Sequence, residues 1–297
     1  MEATLSQEQH LIPLSPKRLI PYRVVFWVGA ALVVSGLAHL AIYVILGASW
    51  HGPLSLRKPI LFGISGGLTT WSIGWLMTQL RPMKYDRFLI NTVAVALLVE
   101  VALITMQYWR GVASHFNHKT NVDATIEFSM LALILIASFA ILYLSVRTLW
   151  LRNGIEPAMA TAIRGGMWLL ALSCGLGMAT SVLGEVSISQ GSSYELWGKA
   201  GVLKFPHGVA LHSIQLLPIA AWIARVLKVT NSLQIVRSAL ASQIVFLGYA
   251  VWQTSQGRDR FDWDTIGACT LAASVMLAAY AAFAIGAGGL RALKTTS

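Results

Sequence analysis

The stretch Arg110–Phe128, RGVASHFNHKTNVDATIEF, sets His115 and His118 three residues apart and Asp123 and Glu127 four apart. On a helix, either spacing puts both side chains on one face. Imidazoles combined with carboxylates form a donor set suited to zinc, iron or copper. The same residues have a plainer use. Asp123 can cap a helix opening near residue 124, with Glu127 in its first turn, and His118 can stand solvated in a loop. His115, His118, Asp123 and Glu127 are therefore candidate metal ligands, and His207 is a fifth.

Three further ionisable residues, His39, Glu100 and His212, fall inside long apolar runs. His39 and Glu100 lie about nine residues, and His212 about five, from the same ends of their runs, so at ~1.5 Å per helical residue all three sit at comparable depth. A charged side chain in hydrocarbon costs at least ~2.5 kcal/mol, which turns such groups toward a cavity or a partner. His39 and His212 have the relation that bis-histidine ligation of haem b requires, two imidazoles from separate helices. Glu100 would be a third cofactor-binding group or a proton acceptor. His207 and His212 are about 140° apart on a regular helix and do not bind one ion from it. The expectation is an outward-facing polar pocket lined by His39, Glu100 and His212, with 110–128 as its rim. The alternative is a protonated Glu100 and a His39 that merely tie helices together.

The elements that must hold these groups are legible from composition. Of 297 residues, 56% are hydrophobic and only 11% charged, where soluble domains carry about 25% charged residues. The apolar residues come in eight runs near 24–48, 59–80, 88–109, 124–148, 161–185, 207–227, 236–254 and 264–290, each long enough to cross ~30 Å of hydrocarbon. The fold expected is an all-α polytopic membrane protein. It would have a leader at 1–23, one transmembrane domain at 24–290 and a short tail at 291–297. The first run is too long for a signal-peptide core, and the leader before it is acidic and broken by prolines. Lysine and arginine number fourteen in the leader, the even-numbered connections and the tail, against eight in the odd-numbered connections. Both termini are thus expected in the cytoplasm. The net charge of +10 then faces anionic lipid and argues against nucleic acid as a partner.

A weak internal echo divides the chain into four helices plus four. RKPILFG opens the second run and LKFPHG the sixth; QYWRG closes the third and VWQTSQGR the seventh; VDATIE opens the fourth and WDTIG the eighth. Each pair falls at corresponding positions, as a parallel repeat requires. Pro218, inside the sixth run, predicts a kink that frees the carbonyl of Ile214. Cys174 and Cys269 both lie in apolar runs and form no disulfide framework. The chain has no Walker A, H-E-x-x-H or C-x-x-C-H motif, so nucleotide, zinc-protease and c-type haem chemistry lack support.

RKPILFG (Arg57–Gly63), RGVASHFN (Arg110–Asn117) and KFPHGVALHSIQLLP (Lys204–Pro218) together resemble a group of uncharacterised bacterial multi-pass membrane proteins. The similarity covers the second to sixth runs. It implies a bacterial cytoplasmic membrane and no particular activity. Three functions are compatible with the residues. The first is a haem- or metal-containing redox protein serving a quinone or an extracytoplasmic partner. The second is a transporter or metal-ion permease. The third is a structural or assembly protein of the bilayer. Polar groups concentrated in one half of the membrane favour the first over a through-passage.

Overall fold

The computed structural model describes residues 22–294, with backbone alone for 291–294. Most of the expected leader, 1–21, and the last three residues of the tail lie outside the described residues. In chain order the helices are α1 Arg23–Leu46, α2 Arg57–Met77, α3 Asp86–Trp109, α4 Asn121–Arg147, α5 Pro157–Ser189, α6 Lys204–Leu211, α7 Ser213–Val226, α8 Ser232–Ser255 and α9 Thr265–Lys294. A two-stranded hairpin, β1 Leu196–Trp197 with β2 Gly201–Val202, interrupts them between α5 and α6.

Among the described residues, eight spans are long and apolar enough to cross a membrane, the sixth being α6 and α7 end to end. Their outward faces carry Trp27, Ile45, Phe139 and Phe283, all more than half exposed. In water such a surface would aggregate; in lipid it is the natural one. The chain is an all-α polytopic membrane protein. The spans start one to four residues earlier than hydropathy suggests, except the last. Helix openings are polar: Arg57 and Lys58 begin α2, Asn121 begins α4 and Lys204 begins α6. At 33 residues, α5 is about 50 Å long, so it overshoots the hydrocarbon.

Half of the α2 span is buried inside the protein against 11% of α9, which makes α2 central and α9 peripheral. α1 packs on α2 and α3, α2 on α3, and α3 on α4. The second four spans have the same neighbour relations: α5 packs on α6–α7 and α8, α7 on α8, and α8 on α9. The halves join through α4 against α5 and α2 against α7. The sixth span is interrupted at His212, six residues before Pro218, where the amides of Gln215 and Leu216 both reach the His212 carbonyl. The break thus falls earlier than the expected kink at Ile214, beside the close approach of α5 at Gly166.

The connections gather at two ends. The basic end holds 78–85, 148–156 and 227–231. There Arg147 donates to Asp86 and, at 2.6 Å, to the Arg81 carbonyl, while the Met83 amide donates to Asp86 at 2.8 Å. Both side chains of this ion pair are buried and tie the start of α3 to the end of α4. The polar end holds 47–56, 110–120, 190–203 and 256–264, and nearly all the candidate residues lie there.

The closest helix pair is α1 with α2. A Cβ added to Gly63 would sit 2.8 Å from Gly36 Cα and 2.9 Å from the Leu32 carbonyl oxygen. Backbones can approach so closely only through residues without side chains. Gly63→Val should therefore force the pair apart and destabilise the protein by roughly 1–3 kcal/mol, read as a lower midpoint of thermal unfolding in detergent. An unchanged midpoint would show that the helices separate freely.

Candidate functional site

The polar end is built around two helix starts and the hairpin that overhangs them. Arg57 and Lys58 open α2, and Lys204 opens α6. The hairpin docks on the end of α8, with Ala200 N–H donating to the Gly257 carbonyl at 3.0 Å and Thr254 Oγ1 to the Val202 carbonyl at 3.1 Å. That docking sets Tyr194 and Glu195 over both helix starts. Glu195 accepts from Arg57 and, at 3.1 Å, from Lys204. Lys58 Nζ lies 5.5 Å and Lys204 Nζ 5.6 Å from the Tyr194 ring centroid, within cation–π range. Burial alone would raise the Glu195 carboxyl; the charges of Lys204 and Arg57 override it and hold the group below its ordinary value. Burial, with the Glu195 charge, pushes the Tyr194 phenol up.

The 110–120 loop closes the other side. Its backbone is fixed by Glu127, whose two carboxylate oxygens accept from the amides of Phe116 at 2.6 Å and Asn117 at 2.8 Å. Phe116 is left-handed, with φ 58°, a strained state for an aromatic residue. Its ring packs at a tilt against Tyr194, centroids 4.8 Å apart, and seats on Gly184 of α5. Turning the chain there brings His115 inward, its Nδ1 2.9 Å from Ser114 Oγ and its ring 6.2 Å from Phe62. Burial first, then the charges of Lys58 and Lys204, depress the imidazole to about 3. His115 is neutral at physiological pH.

Of the candidate metal ligands, the structure brings His118 and Glu127 together and adds Glu185. His118 Nε2 is 3.7 Å from Glu127 Oε2 and 3.4 Å from Glu185 Oε1. One donor atom from each of the three lies within 4.8 Å of the others. Glu185 comes from the overshooting end of α5, Glu127 from the second turn of α4. The side chains of His118 and Glu185 are 48% and 51% exposed and that of Glu127 16%, so the group opens to solvent on one side and is anchored on the other.

Asp123, His207 and His39 are occupied elsewhere. Asp123 is buried and accepts from Arg110 at 2.9 Å, Gln107 at 3.2 Å and Thr120 at 2.8 Å; Thr120 caps α4 by accepting from the Asp123 amide at 3.1 Å. His207 is held on α5 by Ser173, its Nδ1 2.8 Å from the Ser173 carbonyl. His39 has both ring nitrogens engaged, Nδ1 2.7 Å from the Ser35 carbonyl and Nε2 accepting from Trp109 at 3.1 Å. It lies on α1, which packs on α2 and α3, whereas His212 lies at the α6–α7 break, which packs on α5 and α8. Glu100 is buried on the face of α3 that carries Ile104 and Gln107. Among the described residues these three do not form a close donor group of the kind made by His118, Glu127 and Glu185. The groove between α1 and α3, about 360 Å³, is lined by Leu32, Val101, Thr105 and Trp109 and is an apolar furrow.

Lys58, Glu185, Tyr194 and Glu195 stood outside the candidates read from sequence. Glu185 had one signal, a carboxylate ending an otherwise apolar run; Glu195 had none, since its partners are 138 and nine residues away. No protein family, curated protein or solved structure matches this chain.

The depressed His115 gives a signed pH dependence. Between pH 6.5 and about 3 the unfolded chain takes up a proton that the folded imidazole refuses. Stability should thus fall as pH falls through that window, by up to ~1.4 kcal/mol per pH unit for one proton. His115→Gln should flatten the fall in melting temperature between pH 7 and 4.5. Parallel curves for variant and parent would remove His115 from the acid response.

Proposed function

We propose that the chain is a multi-pass protein of a bacterial cytoplasmic membrane that binds a divalent transition-metal ion on its extracytoplasmic face. His118, Glu127 and Glu185 are the ligands. The orientation rests on the fourteen-to-eight excess of cationic residues toward the basic end, by the positive-inside rule. A duplicated four-helix unit belongs to the same reading. It is supported by the matching neighbour relations and by a shared clamp: Asp123 bound by Arg110 at the start of α4, and Asp264 bound by Arg258 at 2.6 Å before α9.

The observation that carries the metal reading is the spacing of the donors. Ligands ~2.0–2.1 Å from a tetrahedral ion stand about 3.4 Å apart, close to the 3.4 and 3.7 Å from His118 to the two carboxylates. Without an ion, two carboxylates gathered on one imidazole repel each other. Glu127 is prepositioned by two backbone amides, the outer-shell support that metal ligands usually have. Three ligands and an open side leave a coordination position for water or for a donor from another molecule. A one-histidine, two-carboxylate set accepts zinc, manganese or iron; with iron or manganese the site is a redox centre exposed to an extracytoplasmic partner.

A second reading, transport, draws on the interruption of the sixth span at His212 and on Gln215 one turn below, whose amide nitrogen and oxygen are both buried and unpartnered. Interrupted helices are where transporters place substrate sites.

One experiment addresses both. Purified protein should bind one equivalent of Co²⁺ with the intense visible absorption of a four-coordinate ion. His118→Ala and Glu185→Gln should each weaken binding by tenfold or more, with Asp123→Asn as a comparison outside the cluster. Absence of binding, or equal binding by Glu185→Gln, sinks the metal reading. Ion accumulation in proteoliposomes would add the transport reading to it.

A further inference from the structure

A second site lies behind the first, between the start of α2 and the end of α3. Ser55, Lys58, Tyr108 and Ser114 line a small, partly open cavity of about 10 Å³, the room of one water-sized sphere. Lys58 is 6% exposed and Ser55 2% exposed. The ammonium has three N–H donors and, among the described residues, one partner besides the Tyr194 ring, Ser114 Oγ at 3.3 Å. That oxygen is shared with His115 Nδ1. Ser55 Oγ is buried with no hydrogen-bond partner among the described residues. The surroundings are short of negative charge. Arg57, Lys58 and Lys204 converge, and the nearest carboxylate, Glu195, is already bound by Arg57 and Lys204. The other nearby carboxylate, Glu127, is held by the Phe116 and Asn117 amides. The positive end of the α2 dipole points the same way.

We propose that this cavity holds a single monatomic anion of chloride size, bound by Lys58 Nζ and Ser55 Oγ beside the start of α2. A buried ammonium with one neutral acceptor is costly unless it gains a counter-charge, and an orphaned hydroxyl beside it supplies a second donor. Size sets the class of ligand. Phosphate, sulfate and carboxylates are polyatomic and need far more space, whereas chloride and bromide are single spheres, larger than water, that fit a cavity open on one side. The site is independent of the His118 group and shares no ligand with it. Bound there, the anion neutralises the cluster that joins the two halves of the chain, so its effect is on the cohesion of the polar end.

The test is thermal unfolding of the full-length protein in detergent with a chelator present, which silences the metal site. Sodium gluconate is exchanged for sodium chloride or bromide at constant ionic strength. The expected result is a saturable rise in melting temperature with either halide and none with sulfate. Lys58→Met should abolish the dependence, and Ser55→Ala, which removes a donor and no charge, should raise the half-saturating concentration several-fold. A midpoint indifferent to the anion overturns the proposal, as does an equal halide response in Lys58→Met. Should Lys58→Met fail to fold, an unchanged half-saturating concentration in Ser55→Ala overturns it alone.

Discussion

Glu195 joins the two halves of the chain at the polar end. Its carboxylate binds Arg57, at the start of the second span, and Lys204, at the start of the sixth. The short connecting strands exist to hold it there, and the aromatic wall of Tyr194 and Phe116 follows from its position. Three cations gathered without this carboxylate would repel one another across the helix starts, in surroundings where screening by water is reduced. Burial keeps His115 neutral, and the same concentration of positive charge adds to it. The metal candidate stands at the edge of this assembly, where Glu127 and Glu185 put negative charge back.

Much of the architecture was legible because hydrocarbon imposes so coarse a demand. A run of about twenty apolar residues needs no partner information to be recognised as a span, and all eight were readable. Helix starts were less so, since Arg57, Asn121 and Lys204 are polar and lower the local hydropathy while belonging to the helix. The hairpin at 196–202 was illegible: two residues a strand leave no alternating pattern, and its stability comes from docking on α8.

The candidate site was half legible for a related reason. Residue type and spacing pointed to His118 and Glu127 because they are near in sequence and share a loop and the helix after it. Glu185 arrives from another helix, and nothing local announces its direction. Sequence spacing puts His39, Glu100 and His212 at one depth but does not order the helices. His39 is committed to Trp109 and Ser35, and His212 lies at the α6–α7 break, which packs on α5 and α8. Asp123 shows how one residue type serves two ends: its carboxylate is consumed by Arg110, Gln107 and Thr120, the fate its position as a helix opener allowed.

The glycine seam between α1 and α2 bears on biogenesis. Its contacts need only residues between Val25 and Gly74, so they can be completed while most of the chain is still on the ribosome. A hairpin that leaves the insertion machinery already locked presents a finished surface to α3 as it emerges. Assembly then proceeds by addition to a rigid seed, and the late pairing of Arg57 with Glu195 closes a structure whose first corner was set at the beginning of synthesis.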